Sequence, residues 1–317
     1  MSRSSRTSTV PLSVQLLREG LMESTHQVHA AVADSRGRVL SLAGNADTTS
    51  FIRSALKPFQ AMSVVSTGAM EEFGLSDRDL AIICSSHQGR TEQARQVFGI
   101  LWRADLESTV LQCPVPAGRT SALEHGCSGK HAGMVAVCKQ QRWELNTYLR
   151  RDHPVQKMIL RSFAGLLGMP PEEFISAHDD CGAPTYFMQI QQMATLFAKL
   201  SSGDSLEMER VVRAMVNYPM MVSGPQGFDS ELMALTNGEI VSKSGSEGIQ
   251  CVGRVGNGMG LAIKVQDGSR RAKYAAAIHI LRQLGWISTD VAETLAETYM
   301  APSGYKRLDV VGDLSLV

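Results

Sequence analysis

Strand-forming sequence lies at both ends of this chain and helical sequence fills the middle, and no other feature limits the fold as much. Residues 26–34 and 38–43 are short apolar-rich runs joined by the turn Ser35-Arg36-Gly37, which predicts a β-hairpin. From Lys57 to about Tyr218 the apolar residues fall at helical spacing. Phe59, Met62, Val65 and Met70 begin the pattern; Val97 and Leu101, Met134 and Val137, Ile159 and Phe163, and Met193 and Leu196 continue it, with Gly and Pro between the runs. Strand patterns return over 239–243, 249–254 and 259–265, and amphipathic helices over 272–284 and 289–300 close the chain. A sheet with strands from both ends must bring those ends together. The expected fold is therefore α+β, with one antiparallel sheet formed from N- and C-terminal strands and a helical region inserted between them. Residues 1–16 are expected to be a disordered start. Residues 17–317 are read as a single domain, with a sheet part over 17–57 and 220–317 and a helical part over 58–219.

Charge narrows the possible ligands. Lysine plus arginine (31) equals aspartate plus glutamate (31), so no net field favours nucleic acid or an anionic membrane, and a small-molecule ligand is expected. No apolar run approaches the length of a membrane span and the first residues hold no apolar leader core, which together give a cytoplasmic expectation. The six cysteines form no C-x-x-C pair and are expected to be reduced thiols. The glycines at 253, 256, 258 and 260 have strand-like sequence on both sides. They read as a hairpin, because a nucleotide-binding loop needs a helix after it.

Five short segments carry chemistry. Ser54 and Lys57 are three residues apart, so one helix would set hydroxyl and amine side by side, and Pro58 suits a helix start. Serine needs an adjacent base to act as a nucleophile, and a lysine deprived of water can be that base. An exposed helix lysine is the bland alternative. Ser86 and His87 follow an apolar run; an N-cap serine with a surface histidine would explain them equally well. Gly126-Cys127-Ser128-Gly129-Lys130-His131 gathers small residues around a thiol and an amine. His178-Asp179-Asp180-Cys181 puts two carboxylates beside a thiol. Lys243-Ser244-Gly245 ends a strand, where an edge lysine is the plain reading.

In order and approximate spacing, these five segments resemble the rhizobial-type L-asparaginases (class 3, asparaginase II family), a family related in fold to serine β-lactamases and glutaminases. The likeness runs from about Leu17 to the end. It implies two catalytic serine–lysine pairs, Ser54 with Lys57 and Ser86 with Lys243. It also implies a zinc site of Cys127, Lys130 and Cys181, with Asp179 as a nearby carboxylate and the metal orienting substrate without supplying the nucleophile. Arg53, His87, His131, Asp179, Ser244, Gly245 and Ser246 become the residues expected around the substrate, and the backbone N–H groups of Ser54 and Ser246 the expected oxyanion donors. The implied reaction is hydrolysis of L-asparagine to L-aspartate and ammonia through a serine acyl-enzyme with lysine as general base, in a homodimer. The alternatives are a serine amidohydrolase acting on glutamine or another small amide, and an amino-acid-binding protein that has lost turnover. The loop around Cys181 departs from the family pattern on both sides of the cysteine, which bears on substrate preference.

Overall fold

Leu12, Val14 and Leu16 are buried at alternate positions, and the segment that carries them is a strand. This corrects the expected disordered start for residues 12–16, and residues 8–11 are placed too, with Ser8 bridging Asn45 and the Thr9 N–H donating to the Gly44 carbonyl (2.7 Å). The computed structural model describes residues 8–317; the rest of that expected start, residues 1–7, lies outside the described residues. The strands, in chain order, are β1 (Leu12–Arg18), β2 (Leu21–Asp34), β3 (Val39–Ala43), β4 (Thr49–Phe51), β5 (Ser176–His178), β6 (Pro184–Gln189), β7 (Ile240–Ser244), β8 (Ile249–Arg254), β9 (Met259–Val265), β10 (Lys306–Val311) and β11 (Ser315–Leu316). The helices are α1 (Lys57–Ser66), α2 (Ala69–Glu72), α3 (Asp77–Ile83), α4 (Thr91–Arg103), α5 (Ser128–Gln140), α6 (Pro154–Leu167), α7 (Ile190–Ser202), α8 (Leu206–Asn217), α9 (Pro219–Val222), α10 (Phe228–Leu235), α11 (Arg270–Gln283) and α12 (Thr289–Tyr299).

Two compact units result. One comprises residues 8–55, 188–202 and 235–317, and the other 56–187 and 203–234. In the first, an antiparallel sheet runs β10–β1–β2–β9–β8–β7. The second half of β2 pairs β3, and β3 pairs β11. Strands from both ends of the chain thus share one sheet, as the sequence pattern implies. Helix α7, which falls in the stretch read as helical insert, belongs to this sheet unit and packs on β2, β8 and β9. Conversely, 203–234 belongs to the helical unit, although residues from 220 onward were expected with the sheet.

Two glycines explain the placement of α7. Gly253 and Gly260 are register partners on β8 and β9. A Cβ on Gly260 would stand 2.1 Å from the Ala194 carbonyl oxygen and 2.3 Å from the Ala198 nitrogen; one on Gly253 would stand 2.7 Å from the Phe197 oxygen. The helix backbone therefore rests directly on the sheet. Gly256 and Gly258 occupy the hairpin turn, so the whole glycine cluster is accounted for by packing and turning.

The helical unit is organised around α1, α3 and α5. Helix α5 lies against the end of α3 because Gly129 and Gly133, one turn apart, present no side chain there. A Cβ on Gly129 would lie 2.0 Å from the Ile82 carbonyl oxygen. At the other end of α3, Ser76 and the buried Asp79 form a capping box, and Asp79 also accepts from Gln96 (2.6 Å) and Arg103, both on α4. Among the described residues, no helix is long and apolar enough to cross a membrane.

The sheet contact gives a paired test. Gly260→Ala should destabilise by about 1–3 kcal/mol, because backbone atoms cannot yield to the new methyl. Gly165→Ala, exposed on α6 with no atom within 4 Å of the added carbon, should stabilise by about 1 kcal/mol. Urea unfolding of both variants checks the pair; equal and small effects would mean that α7 does not depend on the glycines.

Candidate functional site

Lys57 is completely buried at the start of α1. Its Nζ donates to the carbonyl oxygens of Ser85 (2.5 Å) and Gly126 (3.3 Å) and to Ser86 Oγ (3.0 Å). A buried amine is tolerated only when its polar atoms find partners, and these three oxygens supply them. Ser86, half-buried, lies in the segment between α3 and α4, five residues ahead of Thr91, so the N-cap alternative does not apply.

Ser54 and Lys57 do not share an α-helix. Arg53–Leu56 is a 3-10 turn, and α1 begins at Lys57 with Pro58 in its first turn, where a missing N–H costs nothing. Arg53 has φ +52°, a left-handed conformation uncommon for a residue with a Cβ, and it turns the chain just ahead of Ser54. The sequence carries no sign of that strain.

His87 is buried, and both of its ring nitrogens are taken. Nδ1 accepts from the Gly89 N–H (3.0 Å), so the proton sits on Nε2, 2.9 Å from Ser128 Oγ, which in turn donates to the Leu123 carbonyl (2.8 Å). Burial, helped by the Lys57 charge, pushes this imidazole down to about 3. A surface histidine is excluded, and the expected substrate contact is unsupported, because the ring braces the loop around Ser86. His131 is buried on α5 with Nδ1 2.6 Å from Tyr148 Oη; burial and the Lys130 charge hold it neutral, well below its usual range.

Cys127, Lys130 and Cys181 come together, as expected. Lys130 Nζ donates to Cys181 Sγ (3.0 Å), and the thiols of Cys127 and Cys181 lie close enough to act on each other's protons. The Cys181 thiol, with the Lys57 and Lys130 cations, drives Cys127 well below the ordinary thiol range despite burial, while the Cys127 sulfur and burial raise Cys181. Burial acts to lower Lys130, but the sulfurs of Cys181 and Cys127 outweigh it and the amine is held above its usual value. All six cysteines are free thiols. Among the described residues, no three His, Cys, Asp or Glu side chains are placed to hold a metal, so a site here depends on Lys130. Two sulfurs and one nitrogen that converge in this way suit zinc once Lys130 and Cys181 release their protons. Asp179 is buried beside them, and its charge acts on Lys130.

The remaining candidates lie in the sheet unit. Lys243, fully buried on β7, donates to the Ser244 carbonyl (2.9 Å). The Ser244 hydroxyl donates to Gln250 Oε1 (2.7 Å), whose amide nitrogen reaches Ser242 Oγ (2.9 Å), so this expected substrate contact is engaged within the sheet. Gly245 is buried in the turn after β7 and Ser246 is exposed there. Two buried residues, one in each unit, were not foreseen. Lys273 of α11 is buried and donates to the carbonyls of Gly245 (2.7 Å) and Ile249 (3.2 Å), bridging that turn; its place within the apolar stretch of an amphipathic helix was the available signal. Tyr148 had no local signal.

The model of the family described as L-asparaginase II matches residues 14–316. No curated protein is a significant match. Among solved structures, the chain is similar to a β-lactamase from Mycobacterium bovis (14% identity, 81% of this chain and 94% of that one, TM-score 0.46). It is also similar to a putative β-lactamase from Bacteroides dorei (10% identity, 84% and 89%, TM-score 0.41). A third likeness is to Mglu in its native form (15% identity, TM-score 0.36), which covers 81% of this chain but only 60% of that protein's length.

The depressed His87 makes a pH prediction. Unfolded, this histidine binds a proton below about 6.5, whereas folded it stays neutral down to about 3. Stability should therefore fall as pH drops from 6.5 towards 3, by about 1.4 kcal/mol per unit for this one group. Urea unfolding between pH 7 and 4.5 should show a shallower pH slope in His87→Gln; an unchanged slope would mean that His87 is protonated in the folded protein.

Proposed function

Because the chain belongs to the L-asparaginase II family it is an amidohydrolase, and we propose that it hydrolyses L-asparagine through a serine acyl-enzyme. The observation that carries this reading is the buried Lys57, whose Nζ touches a serine hydroxyl and otherwise only carbonyl oxygens. An amide resists water because resonance stabilises it, so cleavage needs an activated nucleophile, a held oxyanion and a protonated leaving group. Ser54 attacks the side-chain carbonyl carbon while Lys57, having first released its own proton to solvent, takes the hydroxyl proton. Backbone N–H groups of Ser54 and Ser246 receive the oxyanion, and each such donor is worth about 3–4 kcal/mol. As the C–N bond breaks, the nitrogen leaves as ammonia with a proton relayed through Ser86, which works with Lys243. Water then cleaves the aspartyl ester, returning Ser54 and releasing aspartate. Arg53, Asp179 and His131 are proposed to receive the amino-acid head group, in an enzyme that works as a homodimer.

A second reading has its own support. Lys57 is hydrogen-bonded to Ser86, so Ser86 is a rival nucleophile. Reaction with a diazoketone analogue of asparagine, followed by peptide mapping, separates the two. An adduct on Ser54 supports the proposal, and one on Ser86 replaces it. Ser54→Ala and Lys57→Met should each lower ammonia release by roughly a thousandfold or more. Lys243→Met should cost at least about tenfold, since relay and charge are lost but the nucleophile stays. Wild-type turnover in Ser54→Ala would end the mechanism.

We further propose that Cys127, Lys130 and Cys181 hold one zinc ion. When bound, zinc supplies a Lewis acid that helps orient the substrate. Metal analysis of protein purified without chelator should find close to one zinc per chain, and Cys181→Ser should lose it with KM affected more than kcat. Metal-free protein that does not respond to added zinc would exclude the site.

A further inference from the structure

Around Tyr148, two buried polar atoms are left without a partner among the described residues, His131 Nε2 and Gln156 Oε1. His131 and Tyr148 are both fully buried, and His131 Nε2 has no hydrogen-bond partner among the described residues. Buried N–H groups are rarely left so. The phenol oxygen of Tyr148 accepts from the Gln112 N–H (2.9 Å) and lies 2.6 Å from His131 Nδ1. Gln156 Nε2 donates to the Tyr148 carbonyl (2.8 Å), which fixes the tyrosine's backbone.

Two arrangements of the neutral pair are possible. If Nδ1 carries the proton and donates to the phenol, both the tyrosine O–H and the bare Nε2 are left unmatched. If Nε2 carries it, the O–H donates to Nδ1 and only the Nε2–H remains. The second leaves one fewer buried group unsatisfied, so it wins. It also removes the Nε2 lone pair, so His131 cannot ligate a metal even though it adjoins Lys130. What an N–H can take is an oxygen acceptor. A carboxylate oxygen is such an acceptor.

We propose that Tyr148 is a positioning residue: it locks His131 as the Nε2–H tautomer, and that N–H is the donor that receives a carboxylate oxygen of the amino-acid substrate. The substrate class rests on the asparagine reading above, whereas the tautomer does not. Loss of the lock in Tyr148→Phe keeps the ring in place and should raise KM for asparagine about tenfold with kcat nearly unchanged. Long-range ¹H–¹⁵N spectra of histidine-labelled protein without ligand should show His131 protonated on Nε2 in the wild type and a mixture of tautomers in Tyr148→Phe. L-Aspartate added to the wild type should shift the Nε2–H proton downfield. An Nδ1–H tautomer in the wild type, an unmoved Nε2–H with saturating aspartate, or an unchanged KM in folded Tyr148→Phe would overturn the proposal. A wild type that releases no ammonia from asparagine would remove the substrate reading instead, and the ligand-free spectra would still decide what Tyr148 does.

Discussion

The helical unit depends on one buried amine. Lys57 draws the residues after α3 and the residues before α5 onto the first turn of α1, because the carbonyls of Ser85 and Gly126 and the hydroxyl of Ser86 are the oxygens that make its burial tolerable. That convergence requires α5 to come close to α3, which the bare face at Gly129 and Gly133 permits. A packing device thus serves an electrostatic one.

The charges around that amine are mutually dependent. The Lys57 cation helps keep His87 neutral, and Lys57 with Lys130 helps make Cys127 a thiolate; the sulfurs in turn hold the proton on Lys130. The two buried imidazoles stay neutral and act as fixed dipoles beside these charges. A substitution at any one cation should therefore disturb several neighbours, so single-variant effects in this cluster will not add.

Much of this was legible in the sequence, and the gaps have physical causes. The termini-in-one-sheet arrangement followed from where β-branched runs and hairpin glycines lie. β1 was missed because its alternation, Leu12, Val14, Leu16, sits next to a polar start that resembles disorder, and β10 because Leu308 is its one fully buried side chain among charged neighbours. Helix α7 has ordinary helical periodicity; only Gly253 and Gly260, some sixty residues later, say that it lies on the sheet. The Cys127–Lys130–Cys181 cluster was anticipated from the family resemblance and the burial of Lys57 from its proposed role as a base, whereas Lys243, read as an edge lysine, is fully buried. The immediate partners of Lys57 and His131 were not anticipated, since Ser85 and Gly126 contribute backbone carbonyls that no motif records, and His131 meets a tyrosine seventeen residues away. Nor could spacing alone distinguish an α-helical Ser54–Lys57 pair from one that spans a 3-10 turn with Arg53 in left-handed backbone.

The proposed reaction turns on a covalent ester formed from asparagine, and interception of that ester tests it most directly. Purified protein should release ammonia from L-asparagine, and added hydroxylamine should divert the product from aspartate to its β-hydroxamate while ammonia release continues. Failure to release ammonia from asparagine, glutamine or any other small amide, or aspartate as the sole product at every hydroxylamine concentration, would contradict it.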